Sequence, residues 1–383
     1  MMKRTTIWAA LALLLAMPAA ADIRETGGGG AGDGGTATNA AVQPWHLSAM
    51  GSMLYVSSQA QQVVRRILPD GTIELVAGTY VARTPGDPLP PPGVLSPATG
   101  TRLLFVTGVA ADVGETYFSA GGTLLVVQAG AIRTVATGFA NIGGLAIAGD
   151  WLYVAADGQV LRYGLPCAMT CGAPTVLASG LTFPTGLAVG PDGAVYVSEQ
   201  AAGRVKRIPP GGGVPVLVAG TGAALGDGGL ATSANLSQPE GLALDGNGDL
   251  YIADRGHARV RRIRAGIITT VAGTGAENRF NTWVEPSQVG HDPLRQPLTP
   301  AGLAIVGRSL WIASGYRLYA LDLSAAQPTI TAAAPTSTAT AAPPTSSATA
   351  TVTATAPPTL TRTATRTPTT APTCVPMCLQ TTL

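Results

Sequence analysis

Three histidines are the residues of this chain best suited to hold a metal ion: His46, His257 and His291. Imidazole is the commonest side-chain ligand for metals, and three of them would leave the fourth position of zinc open for water or substrate. The sequence leaves two interpretations, isolated surface histidines or a zinc site. We favour the first, because only single residues suggest the second.

Two acidic residues stand five positions before an arginine in similar surroundings. Asp254 precedes Arg259, and Glu199 precedes Arg204. In a third copy of the pattern the acid and the arginine are both replaced. Because each pair spans a short turn between two strand-like runs, we predict two ion pairs that fix these turns. Their predicted role is structural.

The third strand-like runs contain the basic doublets Arg65-Arg66, Lys206-Arg207 and Arg261-Arg262, which we expect to form a solvated face. Other common sites of chemistry are missing from the sequence: it has no phosphate-binding loop, no Gly-x-Ser-x-Gly elbow and no paired catalytic acids. We therefore predict neither a catalytic residue nor a cofactor.

Four cysteines form two close pairs, Cys167 with Cys171 and Cys374 with Cys378. In an oxidising compartment such spacing favours two local disulfides over a metal site, although three pairings remain open.

The first 21 residues predict export. Lys3 and Arg4 precede an apolar run from Ile7 to Met17, and small residues follow before Asp22. The run is too short for a spanning helix. We expect a secreted, periplasmic or cell-surface protein.

The charge of the chain argues against a nucleic-acid partner. The 23 basic residues fall to 21 without Lys3 and Arg4, which equals the number of acidic residues. A protein that binds nucleic acid needs a clear basic excess. We also predict no membrane span and a monomer.

The elements that must position these residues are clearest between Gly226 and Gly275. Short apolar runs, such as Leu250–Ala253 and Ile267–Ala272, are separated by Gly- and Asp-rich turns. This spacing predicts one four-stranded antiparallel sheet, and because both faces are apolar such units must stack.

The same stretch resembles the NHL repeat of bacterial β-propellers. The similarity is carried by GDGG-x-ATSA, P-x-G-LA-x-D, LYIAD, R-V-R-x-I and ITTVAGTG. It implies an all-β fold of stacked four-stranded blades around a central channel. Some propeller lyases hold a metal at that channel, so the resemblance keeps an enzyme of the lyase or lactonase type as the alternative function.

The pattern recurs along the chain and predicts a six-bladed propeller over residues 22–325. A marker residue starts each inner strand, and an aromatic follows in each second strand. The markers are His46, Gly108, Gly144, Gly186, Gly241 and Gly302. The aromatics are Tyr55, Tyr117, Tyr153, Tyr196, Tyr251 and Trp311.

Three segments outside the regular pattern carry their own predictions. Residues 22–26 should close the ring as the outer strand of the last blade. Residues 79–102 are Pro-rich and should be a surface loop without regular strand, and residues 277–300 should form a second long loop. Residues 326–383 are mostly Thr, Ala, Pro and Ser, which predicts a disordered spacer tail.

The sequence favours an exported binding scaffold that presents one propeller face to a protein or glycan partner. Our candidate contact residues are Trp45, His46, Arg255 and His257, since the loops that carry them should meet at one end of the channel. At the marker position His46 should point towards the channel mouth.

Overall fold

The computed structural model describes residues 24–26, 33–35, 42–81, 83, 89–92, 94–166, 172–276 and 293–324. In these ranges the regular structure is β-strand, with a few 3₁₀ turns at Ala98–Gly100, Ala231–Ser233, Arg255–His257 and Pro293–Arg295. The strands form six antiparallel sheets. The predicted six-bladed, all-β propeller is confirmed.

Each blade contributes an inner, a second, a third and an outer strand. The inner strands are β2 (Leu47–Met50), β7 (Val106–Asp112), β11 (Ile142–Ala148), β15 (Pro184–Val189), β19 (Pro239–Leu244) and β23 (Pro300–Val306). The second strands are β3 (Met53–Ser58), β8 (Glu115–Ala120), β12 (Trp151–Ala156), β16 (Val195–Glu199), β20 (Leu250–Asp254) and β24 (Ser309–Ser314).

The remaining strands lie towards the rim. The third strands are β4 (Val63–Ile67), β9 (Thr123–Gln128), β13 (Gln159–Gly164), β17 (Arg204–Ile208), β21 (Arg259–Arg264) and β25 (Arg317–Asp322). The outer strands of blades 1 to 5 are β5 (Ile73–Ala77), β10 (Ala131–Ala136), β14 (Thr175–Ala178), β18 (Val216–Gly220) and β22 (Ile267–Ala272).

Blade 6 takes its outer strand from the other end of the sequence. Strand β1 (Arg24–Thr26) pairs antiparallel with β25, with Glu25 opposite Tyr319. The predicted closure is confirmed. It covers the edge of β25 and joins the two ends of the propeller.

Blade 2 has one more strand than predicted. Strand β6 (Ser96–Pro97) pairs with β10 at the outer edge of the sheet. We expected no regular strand between residues 79 and 102, and this short strand corrects that expectation. Proline is tolerated there because an edge strand does not need every N–H for pairing.

The hydrophobic core is divided among the seams between neighbouring blades. One cluster of buried apolar side chains occupies each of the six seams. The marker aromatics belong to these clusters, and Tyr117 and Tyr251 are almost fully buried. Each blade therefore depends on both neighbours for its stability.

Glycine is needed where the inner strands meet. A Cβ built on Gly302 would lie 2.6 Å from the Trp45 carbonyl oxygen of the next blade. Gly186 faces the Glu240 carbonyl even more closely. The marker glycines thus allow backbone-to-backbone contact between blades, which a larger side chain would prevent.

A serine two residues after the marker aromatic ties blades together. The Ser198 hydroxyl accepts from the Gly186 N–H at 2.7 Å and donates to the Glu240 carbonyl of the next blade at 2.6 Å. Ser57 occupies the same position in blade 1 and donates to the Thr107 carbonyl of blade 2. These buried hydroxyls satisfy backbone groups that the close seams would otherwise leave unpaired.

A Gly-Asp-Gly-Gly segment attaches to the outer strand of blade 5. The N–H of Gly228 donates to the Ile268 carbonyl at 2.8 Å, and the Ile268 N–H donates to the Gly229 carbonyl at 3.0 Å. Asp227 then reaches inward and contacts the Arg261 guanidinium at 2.8 Å.

The segment at residues 33–35 repeats this arrangement in blade 1. Gly34 and Gly35 exchange backbone hydrogen bonds with Ile73, and Asp33 contacts Arg65 at 3.2 Å. The side chains of Arg65 and Arg261 are 1% and 0% exposed. The expected solvated face of basic residues is therefore wrong at these two positions, because acidic segments from elsewhere in the chain cover them.

Candidate binding face

The sheet topology brings two kinds of loop to one end of the channel. The segments that lead into the inner strands and the turns between second and third strands share one face, because adjacent strands are antiparallel. We call this the mouth face. The other turns form the base face.

Four side chains from three blades meet on the mouth face. Arg255 contacts Glu240 at 2.6 Å and lies over the Trp45 ring, 4.8 Å from its centroid. Gln200 donates to the same Glu240 oxygen, Oε1, at 2.6 Å. We call Trp45, Gln200, Glu240 and Arg255 the Glu240 cluster. It includes two predicted contact residues, Trp45 and Arg255.

Among the described residues, only one of the two carboxylate oxygens of Glu240 has hydrogen-bond partners. Its side chain is 2% exposed, and burial raises its pKa, although Arg255 and Gln200 act in the opposite direction. The second oxygen, Oε2, is buried without a hydrogen-bond partner among the described residues. Sequence reasoning missed Glu240. The available signal was a charged residue directly before the marker Gly241, where most blades have a small side chain.

His257 is held by a carboxylate and does not join the Glu240 cluster. Its Nδ1 lies 3.0 Å from Asp254 Oδ2, and its side chain is 22% exposed. This contact fixes the imidazole and leaves Nε2 as the atom able to meet a ligand. His257 thus remains a candidate contact residue.

Asp254 does not form the ion pair that we expected. Arg259 stands opposite it in the strand register, but its guanidinium donates to the carbonyls of His257 and Thr274. Asp254 instead contacts the buried Arg261 at 3.2 Å. The aspartate side chain is short, and the N–H of Ser237 also donates to it at 2.8 Å, which holds it inside the blade.

Glu199 does contact the arginine five residues later. Arg204 Nε lies 2.6 Å from Glu199 Oε2, and Lys206 contacts the same oxygen at 3.0 Å. Burial raises the pKa of Glu199, but Arg204, the Thr182 N–H and Lys206 outweigh it and leave the pKa below its usual value.

His46 is buried, which corrects the expectation that it points towards the channel mouth. Its residue exposure is 8%, and burial lowers its pKa to about 4. The marker glycines before it in the ring direct their Cβ positions at the next blade, and His46 occupies the equivalent position. At neutral pH it is an uncharged imidazole inside the protein, poorly placed for contact with a partner.

Several candidate residues lie outside the described residues: His291, Cys167, Cys171, Cys374 and Cys378. The predicted disulfides and the participation of His291 in a metal site therefore stay predictions. Within the described ranges, no group of three or more His, Cys, Asp or Glu side chains is arranged to hold a metal ion.

Two phenylalanines project from the mouth face at equivalent positions. Phe105 and Phe183 each lie three residues before a marker glycine, and they are 56% and 49% exposed. Their φ angles of 50° and 52° are in the left-handed region. Gln238 has a φ of 47° at the same position in blade 5, so this backbone belongs to the segments that lead into several inner strands. Sequence reasoning missed both, because exposure and φ are not readable from the pattern.

The family comparison identifies one blade directly. The NHL repeat profile matches residues 236–263, which cover most of blade 5. Residues 236–263 are an NHL repeat. The resemblance seen in the sequence is thus confirmed, and the six-bladed architecture agrees with it.

Two similar proteins resemble this chain over a short stretch or at low sequence identity. Protein SUPPRESSOR OF QUENCHING 1, chloroplastic, of Arabidopsis thaliana is 35% identical over 83 residues, 22% of this chain and only 8% of that protein. Among solved structures, an auxiliary nutrient binding protein from Bacteroides ovatus has a TM-score of 0.57 at 14% identity, with 78% of this chain and 76% of that chain covered.

A Bacteroides thetaiotaomicron protein of unknown function gives a similar result. Its TM-score is 0.55 at 20% identity, and the comparison covers 78% of this chain and 75% of that chain. At these identities the structural similarity establishes the fold alone. Separately, no helix in the described part of the chain is long and apolar enough to cross a bilayer.

Proposed function

We propose that the protein is an exported binding scaffold whose mouth face binds a protein or glycan partner. The observation that carries this proposal is Arg255, held against Glu240 at 2.6 Å and 4.8 Å from the centroid of the Trp45 ring, with Phe105 and Phe183 half exposed on the same face. Exposed aromatic rings supply large contact area at low entropic cost when a partner covers them. The nutrient-binding description of a similar solved structure fits this proposal.

The Glu240 cluster supplies the polar part of the proposed surface. Arg255 is fixed between Glu240 and Trp45, so its orientation is set before binding. A pre-oriented arginine above an aromatic ring loses little freedom on association, and such residues are common at the centres of interfaces.

The test compares the two faces of the propeller. Purified protein would be screened against a glycan array and against immobilised cell-envelope proteins, as wild type and as the Trp45→Ala/Arg255→Ala variant. Val113→Ser is the matched control, since Val113 is 85% exposed on the base face. We expect bound partners to be lost in the double variant and kept in the control. Partners retained by the double variant, or no partner at all, would contradict the proposal.

The terminal segments complete the proposed scaffold. Residues 1–21 and 326–383 lie outside the described residues; we propose the first as the export signal and the second as a spacer between the propeller, a monomer, and its attachment point. N-terminal sequencing of exported protein should start at Asp22. Limited proteolysis should cut the spacer before the propeller, and the reverse order would contradict the spacer role.

A further inference from the structure

The mouth face contains a cavity of about 430 Å³ in the sector of blades 1 to 3, outside the Glu240 cluster. Its lining includes Gln59, Phe105, Thr107, Gly122 and Asn141. These residues come from the turn after β3, the segment that leads into blade 2, the turn after β8 and the segment that leads into blade 3. Small-molecule pockets have volumes of about 300–1,000 Å³.

The aromatic ring at this cavity is accessible. Phe105 is 56% exposed, and its left-handed φ of 50° sets the direction of its side chain. An aromatic face carries negative potential and attracts the C–H groups of a ligand ring stacked on it. A flat, partly apolar ring is the ligand shape that suits this side of the cavity.

Two amide side chains at the cavity are free to bind. Gln59 and Asn141 are half-buried, and neither side-chain amide has a hydrogen-bond partner among the described residues. Each amide offers two donors and an acceptor, which matches hydroxyl groups that both donate and accept. Arg83 also lines the cavity, but its side chain has interactions of its own, and the described lining residues include no carboxylate that would favour a cation.

We propose that this cavity is a subsite for a neutral saccharide of one or two pyranose rings. The C–H face of one ring stacks on Phe105, and hydroxyl groups exchange hydrogen bonds with Gln59 and Asn141. The inference rests on the proposed function, since it assigns a ligand class to part of the mouth face.

Calorimetric titration of the full chain with maltose, cellobiose, lactose and diacetylchitobiose at millimolar concentration tests the subsite. We expect binding of at least one of them and a roughly tenfold weakening in Phe105→Ala. Asn141→Ala should also weaken binding several-fold, and it provides a second variant whose side chain makes no bond that folding requires. Val113→Ser is the control, because Val113 is an exposed apolar residue on the base face and does not line the cavity.

The outcomes separate this inference from the proposed function. Equal loss in Phe105→Ala and Val113→Ser, unchanged affinity in Phe105→Ala, or binding only of a charged sugar such as glucuronate would overturn the subsite. So would the absence of saccharide binding, or binding of an aromatic tripeptide in its place. If a partner from the face-comparison screen is still lost in Trp45→Ala/Arg255→Ala, the subsite fails while the proposed function stands.

Discussion

Blades 4 and 5 have nearly the same sequence pattern at the end of the second strand, yet they organise their charges differently. In blade 5, Asp254 and Arg261 are both 0% exposed and contact each other at 3.2 Å. In blade 4, the equally buried Glu199 forms ion pairs with Arg204 and Lys206, whose side chains are 32% and 18% exposed. One blade therefore buries a complete ion pair, while the other buries only the acid.

The difference lies in a segment some thirty residues upstream. Blade 5 has the Gly-Asp-Gly-Gly segment, whose Asp227 contacts Arg261 and lets that arginine be buried between two carboxylates. Blade 1 repeats the combination with Asp33 and Arg65. The segment leading to blade 4 has no such sequence, and a lysine, Lys206, stands at the arginine position. The upstream aspartate and the third-strand arginine thus form one structural unit.

The largest effect is expected when the buried acid is removed from each of the two blades. Asp254→Ala should lower the free energy of unfolding by about 3–5 kcal/mol. Arg261 stays buried in this variant, but it keeps only one of its two carboxylate partners. Glu199→Ala should cost about 2 kcal/mol, since Arg204 and Lys206 can turn to solvent. Denaturant titration measures both. Equal losses would show that the two blades do not differ as described. Neither variant should abolish partner binding.

Replacing the third-strand arginine of blade 5 by lysine, and the equivalent lysine of blade 4 by arginine, tests the same difference between the two blades. Arg261→Lys should destabilise by about 2 kcal/mol, because one ammonium group cannot serve Asp254, Asp227 and the Leu225 carbonyl together. Lys206→Arg should change stability by less than about 0.5 kcal/mol, since it has a single carboxylate partner at a partly exposed site. The melting temperatures of the two variants provide the measurement, and a larger effect in blade 4 would reverse the interpretation.

A smaller effect is expected from the serine that joins blade 4 to blade 5. Ser198→Ala should cost about 1–2 kcal/mol, because the Gly186 N–H and the Glu240 carbonyl both lose a buried partner. Ser233→Ala, at an exposed position, is the control and should lie within about 0.5 kcal/mol of wild type. Equal losses of unfolding free energy in the two variants would contradict a stabilising role for the Ser198 hydroxyl.

The smallest effect is a pH dependence that belongs to blade 4. The pKa of Glu199 is lowered in the folded state, so its charge stabilises the fold above the unfolded pKa and loses that effect as pH falls through the folded pKa. Wild type should therefore lose more stability than Glu199→Gln as pH falls from neutral through the folded-state pKa of Glu199. Unfolding curves of both proteins across this range would reveal it, and parallel curves would contradict it.

The sequence predicted the fold because each blade repeats a local pattern. Turn residues, apolar runs and the spacing from a marker to its aromatic are short-range features, and they indicated the six blades correctly. The closure by residues 24–26 was predicted from a local feature too, since a Gly-Asp-Gly-Gly segment follows it as one follows the outer strand β18. The short strand at Ser96–Pro97 was missed because a two-residue pairing at an edge leaves no pattern.

The candidate site was less accessible to sequence reasoning. Trp45 and Arg255 were found because their loops share a face, and the structure places them in contact. Glu240 was missed because its importance depends on Arg255 and Gln200, which come from other turns. His46 was expected at the channel mouth and lies buried, because its exposure depends on how the blades pack around it.

The sequence by itself determined the repeating sheet, the number of blades and the strand that closes the ring, since these follow from hydrogen bonding and alternation within each segment. Only the tertiary structure decided which arginine Asp254 contacts, which aromatic rings remain exposed and where a cavity opens. These depend on distances between residues far apart in sequence, where one methylene or one left-handed φ changes the partner that a side chain can reach.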